Sequence, residues 1–305
     1  MTADPFEAMV DPMVARRQLV QSTATATLKR RLLASRIQVG LCWAFLAIAI
    51  VPLLGVLIYV IIKGLPAWNA DFFTQVTVPE GIEGGGVWNA IVGTLVIGGI
   101  ATAVSVPLGL GAGLFLSGSG GRFAYGTRFT ADVMTGVPSI TIGIFGYIAI
   151  VRNDGEQYSG IAGAFAIGLI MLPVIIRASE TAFRNVDPDL REAGLALGAR
   201  EATLDRRITL PTALPGVITG VLLAIARGIG ETAPLLLTIF GNQYLQWNPT
   251  KPMDALPLVI YNDSSQPSAE LVQVAWGAAL LLMVFVFTLN IGSRLTAAYL
   301  ARERT

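Results

Sequence analysis

The chain has no histidine and one cysteine in 305 residues. The first absence removes Ser-His-Asp and Cys-His catalysis and histidine-based metal sites, which weakens the case for an enzyme. The second excludes a disulfide framework within one chain; Cys42 lies in an apolar run and reads as a small buried hydrophobe. Charge is sparse as well, at 13% of residues, against about 25% in a soluble domain. With a net charge of +1, composition gives no reason to expect nucleic acid as a partner. The three lysines are Lys29, Lys63 and Lys251, and none follows a glycine. The Gly-Lys-[Ser/Thr] step of a phosphate-binding P-loop is therefore missing. What the chain has in abundance is apolar: 53% hydrophobic residues and a mean hydropathy of +0.65, the balance of a polytopic membrane protein.

Six apolar stretches are long enough to span a bilayer, which takes about 20 residues. They lie near 37–62, 88–116, 132–151, 158–176, 214–240 and 271–291. The first is too long for the roughly 7–15-residue core of a signal peptide and reads as a retained helix. Residues 1–36 are polar and mixed in charge, offer no stripe to bury, and read as a mobile tail. Pro107, Pro138, Pro173 and Pro234 fall inside spans, which bundles tolerate where neighbours re-satisfy the freed backbone groups. Gly216 and Gly220 form a small-xxx-small pair; it is either a close-packing face or a chance spacing.

Basic residues are distributed unevenly. Six precede the first span, two lie between spans two and three, six between four and five, and three close the chain. The opposite side holds Lys63, Arg152 and Lys251, a split of 17 against 3, with Arg227 left inside a span. This places both termini in the cytoplasm. The expected domains are a cytoplasmic tail over 1–36, a six-helix membrane domain over 37–293 that includes a cytoplasmic loop at 178–212, and a short cytoplasmic tail over 294–305.

That loop is patterned. Asp187 and Pro188 read as an N-cap and first helical residue. Leu190, Ala193 and Leu197 then recur on one helical face, and Gly198 is a natural stop. A second short helix from about Arg200 carries Leu204 and Ile208 and ends before Pro211. Such a pair is either a solvated loop resting on headgroups or a docking element for another protein.

The order Glu192-Ala193-Gly194, three residues, Gly198, nine residues, Ile208-Thr209-Leu210-Pro211 resembles the E-A-A-x3-G-x9-I-x-L-P motif of binding-protein-dependent ABC importer permeases. It departs only in Gly194 for the second alanine. The resemblance implies coupling helices that fit a groove on a separate ATPase, with Glu192, Ala193, Gly194, Leu197, Gly198, Ile208 and Pro211 in that role. ATP and Mg2+ would then be bound by the partner, and no cofactor by this chain.

Arg227 and Glu231 stand four residues apart inside the fifth span. A charge at mid-bilayer costs about 2.5–3.5 kcal/mol, so the pair faces the bundle interior or a watery cavity. It is either a structural staple or part of a substrate path, in which arginine offers forked donors to an oxyanion and the glutamate tempers its charge. Spacing alone does not choose among phosphate, sulfate and a carboxylate. The segment 223–236, which holds Arg227-Gly228-Ile229-Gly230-Glu231-Thr232-Ala233-Pro234, resembles the signature of phosphate-specific permeases of the PstA type. Glu83-Gly84-Gly85-Gly86 with Asn89-Ala90, Pro138-Ser139-Ile140 and Ile175-Ile176-Arg177 are similar to that family too. The resemblance implies a phosphate pathway at Arg227, Glu231, Thr232 and Ser139. Ser139, behind Pro138, reads otherwise as part of an ordinary kink. Asp132 reads as an interfacial cap, the glycine run at 84–86 as an external turn, and 241–270 as a loop or a binding-protein contact.

The expectation is an all-α membrane protein of type I ABC importer (MetI-like) architecture. Its expected partners are a second homologous permease, an ATPase dimer, an external phosphate-binding protein and the lipid bilayer. Its expected place is the cell membrane, multi-pass. The rivals are a permease for sulfate, phosphonate or molybdate, and a self-contained secondary transporter.

Overall fold

A computed structural model describes residues 12–302 except 83, 154 and 156. The regular elements among the described residues are all helical, apart from an isolated bridge between Phe240 and Met253. Among the described residues five helices are long and apolar enough to cross a membrane, or six if one sharply bent pair counts as a single span. The chain divides into two compact units, Met1–Tyr59 and Val60–Thr305.

The described part of the first unit belongs to α1, Pro12–Gly64. The helix starts far upstream of the apolar run, over residues expected to be a tail. No glycine or proline interrupts 13–36, the segment is rich in Ala, Leu, Arg and Gln, and extending an existing helix needs no new nucleus. Cys42 is exposed, not buried. Residues 31–56 are all exposed, and an apolar helix of that length and exposure has the character of a membrane span rather than of a core element of this chain.

The second unit contains α2 (Ala70–Thr74), α3 (Trp88–Gly118), α4 (Gly121–Gly136), α5 (Ser139–Gly146), α6 (Gly160–Arg184), α7 (Pro188–Ala196), α8 (Glu201–Leu204), α9 (Leu210–Ile229), α10 (Ala233–Thr238), α11 (Leu256–Asp263) and α12 (Ala269–Arg302). Asn69 caps α2 through Phe72 N, and Ser159 caps α6 through Ala162 N. The core joins α3, α6, α9 and α10 around Ile97, Ile167, Met171, Ile175, Leu235 and Ile239. In lipid such packing rests on close van der Waals fit. Gly216 and Gly220 supply that fit between α9 and α6: a Cβ at Gly220 would stand 2.2 Å from that of Ala178, and one at Gly216 3.0 Å from that of Ala182.

Three expected spans are built differently. The third is broken: α4 starts at Gly121, and the chain bends by 103° between α4 and α5. Pro138 has no N–H and excludes Val137 from the helical region, leaving it extended at φ −71°, ψ 129°. The fifth is broken too, because α9 stops at Ile229 and α10 begins at Ala233. At its other end Pro211 does not terminate a separate short helix. α8 runs through a π turn, Asp205–Thr209, straight into α9, with Pro211 in the first turn. The wider turn, closed by Leu210 N–H donating to Asp205 O, accommodates a residue that has no N–H of its own. The sixth continues to Arg302 as one helix.

Candidate functional site

The two breaks face each other. A cavity of about 240 Å³ lies between them, lined by Thr135, Pro138, Ser139, Ile142, Pro173, Arg227 and Glu231 among others. The short helices beyond the breaks touch: a Cβ on Gly143 of α5 would stand 2.7 Å from Pro234 Cα of α10. Irregular backbone at membrane depth is tolerated where it lines such a cavity. Three of the four residues expected on a substrate path, Ser139, Arg227 and Glu231, are brought together here. Thr232 stands one residue beyond Glu231, at the start of α10, and does not line the cavity.

Arg227 and Glu231 pair loosely. Nε and Oε1 are 3.9 Å apart, and the arginine side chain is 52% exposed. That separation is an ionic contact but too long for a hydrogen bond. Among the described residues the guanidinium has no hydrogen-bond partner, so its forked donors remain available. α5 starts at Ser139, which lines the cavity, and a helix start favours negative charge. The arrangement can hold a small oxyanion, with Glu231 moderating the grip.

The loop between α6 and α9 folds as a hairpin. Asp187 accepts from Asp189 N with Pro188 in the first turn, and Gly198 reverses the chain at φ +81°, a conformation that costs about 1–2 kcal/mol for a residue with a Cβ. Gly194 is buried against Leu204, whose Cδ2 would lie 2.3 Å from a Cβ there; Ile208 packs beside it. Glu192 and Ala193 are exposed, and Leu197 is 89% exposed. The hairpin therefore closes on its small residue and turns the Glu192–Leu197 side outward.

At its root lies a cluster that sequence reasoning missed. Glu180 is buried at the end of α6 and takes three arginines: Arg128 Nε at 2.6 Å, Arg177 Nη1 at 3.0 Å and Arg184 Nη2 at 3.2 Å. Arg177 also pairs with Asp132, which is thus an ion-pair partner rather than a cap. Arg128 and Arg184 donate to the Leu116 carbonyl at the end of α3. The sequence signal was the glutamate flanked by arginines at −3 and +4 on one helical face.

A second missed cluster ties the opposite side. Asn89 Oδ1 accepts from Thr77 N, and its Nδ2 donates to Thr77 Oγ1, Asn242 O and Asp254 Oδ2. Burial pushes the Asp254 carboxyl up to about 7, with the Asp263 charge adding to it and the bonds from Ala255 N–H and Asn89 opposing it.

Residues 105–304 match the family described as binding-protein-dependent transport system inner membrane component. The phosphate transport system permease protein PstA of Haemophilus influenzae is 41% identical over 263 residues, 86% of this chain and 93% of that one. The phosphate transport system permease protein PstA 1 of Mycobacterium tuberculosis is 35% identical over 310 residues, 100% of this chain and 97% of that one. A bacterial ABC transporter involved in the import of the acidic polysaccharide alginate shares the fold, with a TM-score of 0.60, 14% identity and coverage of 91% of this chain and 99% of that one.

Proposed function

The chain belongs to the binding-protein-dependent inner-membrane transport components, and from that premise we propose that it carries inorganic phosphate through the cavity at Arg227. It is a non-catalytic, multi-pass permease subunit of a phosphate ABC transporter, and in such systems the ATPase and the binding protein are separate components. The substrate rests on relatives that bear the phosphate permease name along nearly the whole chain. The pathway rests on one observation: Ser139, Arg227 and Glu231 line a single cavity between two broken helices.

In this reading Arg227 forks two phosphate oxygens while Ser139 and the first turn of α5 hold a third. Glu231 keeps the anion from becoming trapped. The broken pair counts as one span, giving six, with 1–36, 178–212 and 294–305 on the cytoplasmic side, as the 17-to-3 basic asymmetry supports. Glu192, Ala193 and Leu197 offer the outward face of the hairpin to an ATPase dimer that binds ATP and Mg2+. Gly194, Gly198, Ile208 and Pro211 shape that hairpin and its junction with α9. A second, homologous permease completes the pore, and alternating access follows as ATPase closure draws the hairpin and rocks α6 and α9. The test is uptake of radiolabelled phosphate at low external concentration in cells lacking this chain and other phosphate systems, before and after restoration. Uptake should return with the chain and resist unlabelled sulfate; unchanged uptake on deletion refutes the substrate.

A further inference from the structure

A cavity of about 520 Å³, more than twice the volume of that at Arg227, lies among the loops around α10 and α11. Its walls include Thr77 before α3, Phe240 and Asn242 after α10, and Tyr261 and Asp263 at the end of α11. The basic asymmetry of the loops puts it on the external face. Its two charges are Asp254 and Asp263, and no lysine or arginine lines it. Asp254 is fixed, with Oδ1 accepting from Ala255 N at 2.8 Å and Oδ2 from Asn89 Nδ2 at 3.1 Å. Gly93 packs so closely that a Cβ there would stand 1.9 Å from the Asp254 carbonyl. The Asp263 carboxylate has no partner among the described residues.

The rim is aromatic. Phe240 and Tyr261 are both exposed. Phe240 is held at φ +67° with its ring 4.9 Å from that of Tyr158. A non-glycine residue in that region is strained and persists only where its surroundings hold it. Burial raises both carboxyls, Asp254 to about 7 and Asp263 to about 6, as expected of a pocket with two anions and no counter-charge. Phosphate would be repelled. A bare metal ion would leave most of the volume unfilled and make no use of the rings. A long cationic side chain uses both features: its stem lies along aromatic faces and its head reaches the carboxylates.

We propose that this cavity receives a lysine or arginine side chain of the external phosphate-binding protein, anchoring it over the permease between Phe240, Tyr261, Asp254 and Asp263. The inference rests on the phosphate-importer reading and adds the chemistry of one contact. Charge pairs at a desolvated interface contribute to affinity as well as to orientation, and tenfold in affinity corresponds to about 1.4 kcal/mol.

The test uses the whole transporter, with both permeases and the ATPase, in lipid nanodiscs, titrated with its own fluorescently labelled, phosphate-loaded binding protein. Asp263→Asn should weaken docking tenfold or more, Asp263→Arg further, and Tyr261→Ala several-fold. Uptake in proteoliposomes should show a raised KM for the binding protein with kcat at saturation retained. ATP hydrolysis without the binding protein should match the wild type, which reports intact assembly. Wild-type docking by Asp263→Asn and Tyr261→Ala overturns the proposal. So does Ca2+ binding that depends on Asp263 while docking does not. If the wild-type complex neither docks the binding protein nor imports phosphate, the functional reading itself fails and takes this inference with it.

Discussion

Glu180→Gln would remove the charge on which three arginines converge while leaving the side chain's shape. Arg128 of α4 and Arg177 and Arg184 of α6 all reach this carboxylate, which is 4% exposed. Removing one partner of a buried ion pair costs about 3–5 kcal/mol, because the remaining charge stays buried and uncompensated. Arg128, only 21% exposed, bears most of that loss. Arg177 and Arg184 are 35% and 51% exposed, so water recovers part of theirs and brings the total to the low end, about 3 kcal/mol. At roughly 2–4 °C per kcal/mol for a chain approaching this size, Tm should fall by about 6–12 °C in nanodiscs, read by intrinsic tryptophan fluorescence. Asp132→Asn is the control. Its carboxylate pairs with Arg177 but is 62% exposed, so it should cost no more than about 1 kcal/mol. The double variant should exceed the sum, because each carboxylate still compensates Arg177 when the other is removed. A Tm for Glu180→Gln within 2 °C of wild type, or equal losses for the two single variants, would refute this account of the cluster.

Arg227→Gln should cut phosphate uptake at least tenfold while the complex still co-purifies with its ATPase; uptake within twofold of wild type would remove Arg227 from the pathway. Gly198→Ala must force a Cβ into φ +81°, at about 1–2 kcal/mol, and should reduce co-purification of the ATPase more than it lowers Tm; an unaltered ATPase yield contradicts the hairpin's assigned role. The Asp254 carboxyl is raised from 3.8 to about 7, so the folded state binds a proton that the unfolded chain has lost. That contribution is full below about pH 4 and lost as pH rises through about 7. Asp254→Asn should therefore flatten the decline of Tm between pH 5 and 8, and a profile parallel to wild type would show that this carboxyl does not titrate as described.

How much of this could be read without coordinates varies by residue. The hairpin's chemistry is local: Asp187, Pro188 and Gly198 act on their own backbone, and each takes in the structure the conformation its type prefers. The spans were legible as lengths but not as paths. An apolar run does not say whether it packs inside its own chain, which is why Cys42, expected to be buried, is exposed. Proline in a span signals a departure from the helix but not its size, and the 103° turn after α4 depends on where α5 finds α10. Asn89 was missed because its partner Asp254 is 165 residues away; for Glu180 the arginines at −3 and +4 were a local signal, but the tie to Arg128, 52 residues away, was not legible.

The break in the fifth span shows best what spacing could not supply. Four residues on a continuous helix would bring Arg227 and Glu231 onto one face, where the glutamate could occupy the guanidinium's donors and close the site as a staple. The structure ends α9 at Ile229 instead, so Glu231 hangs in the connection to α10 at 3.9 Å from Arg227. At that distance the carboxylate lowers the local potential without filling the fork. An anion can then be held by the arginine and still leave. Restoring helix across the break, with Gly230→Ala and Pro234→Ala together, should shorten that contact, occupy the guanidinium's donors and weaken phosphate capture. It would show as a higher KM and a lower kcat for transport, and an unchanged pair of constants would mean that the break serves packing alone.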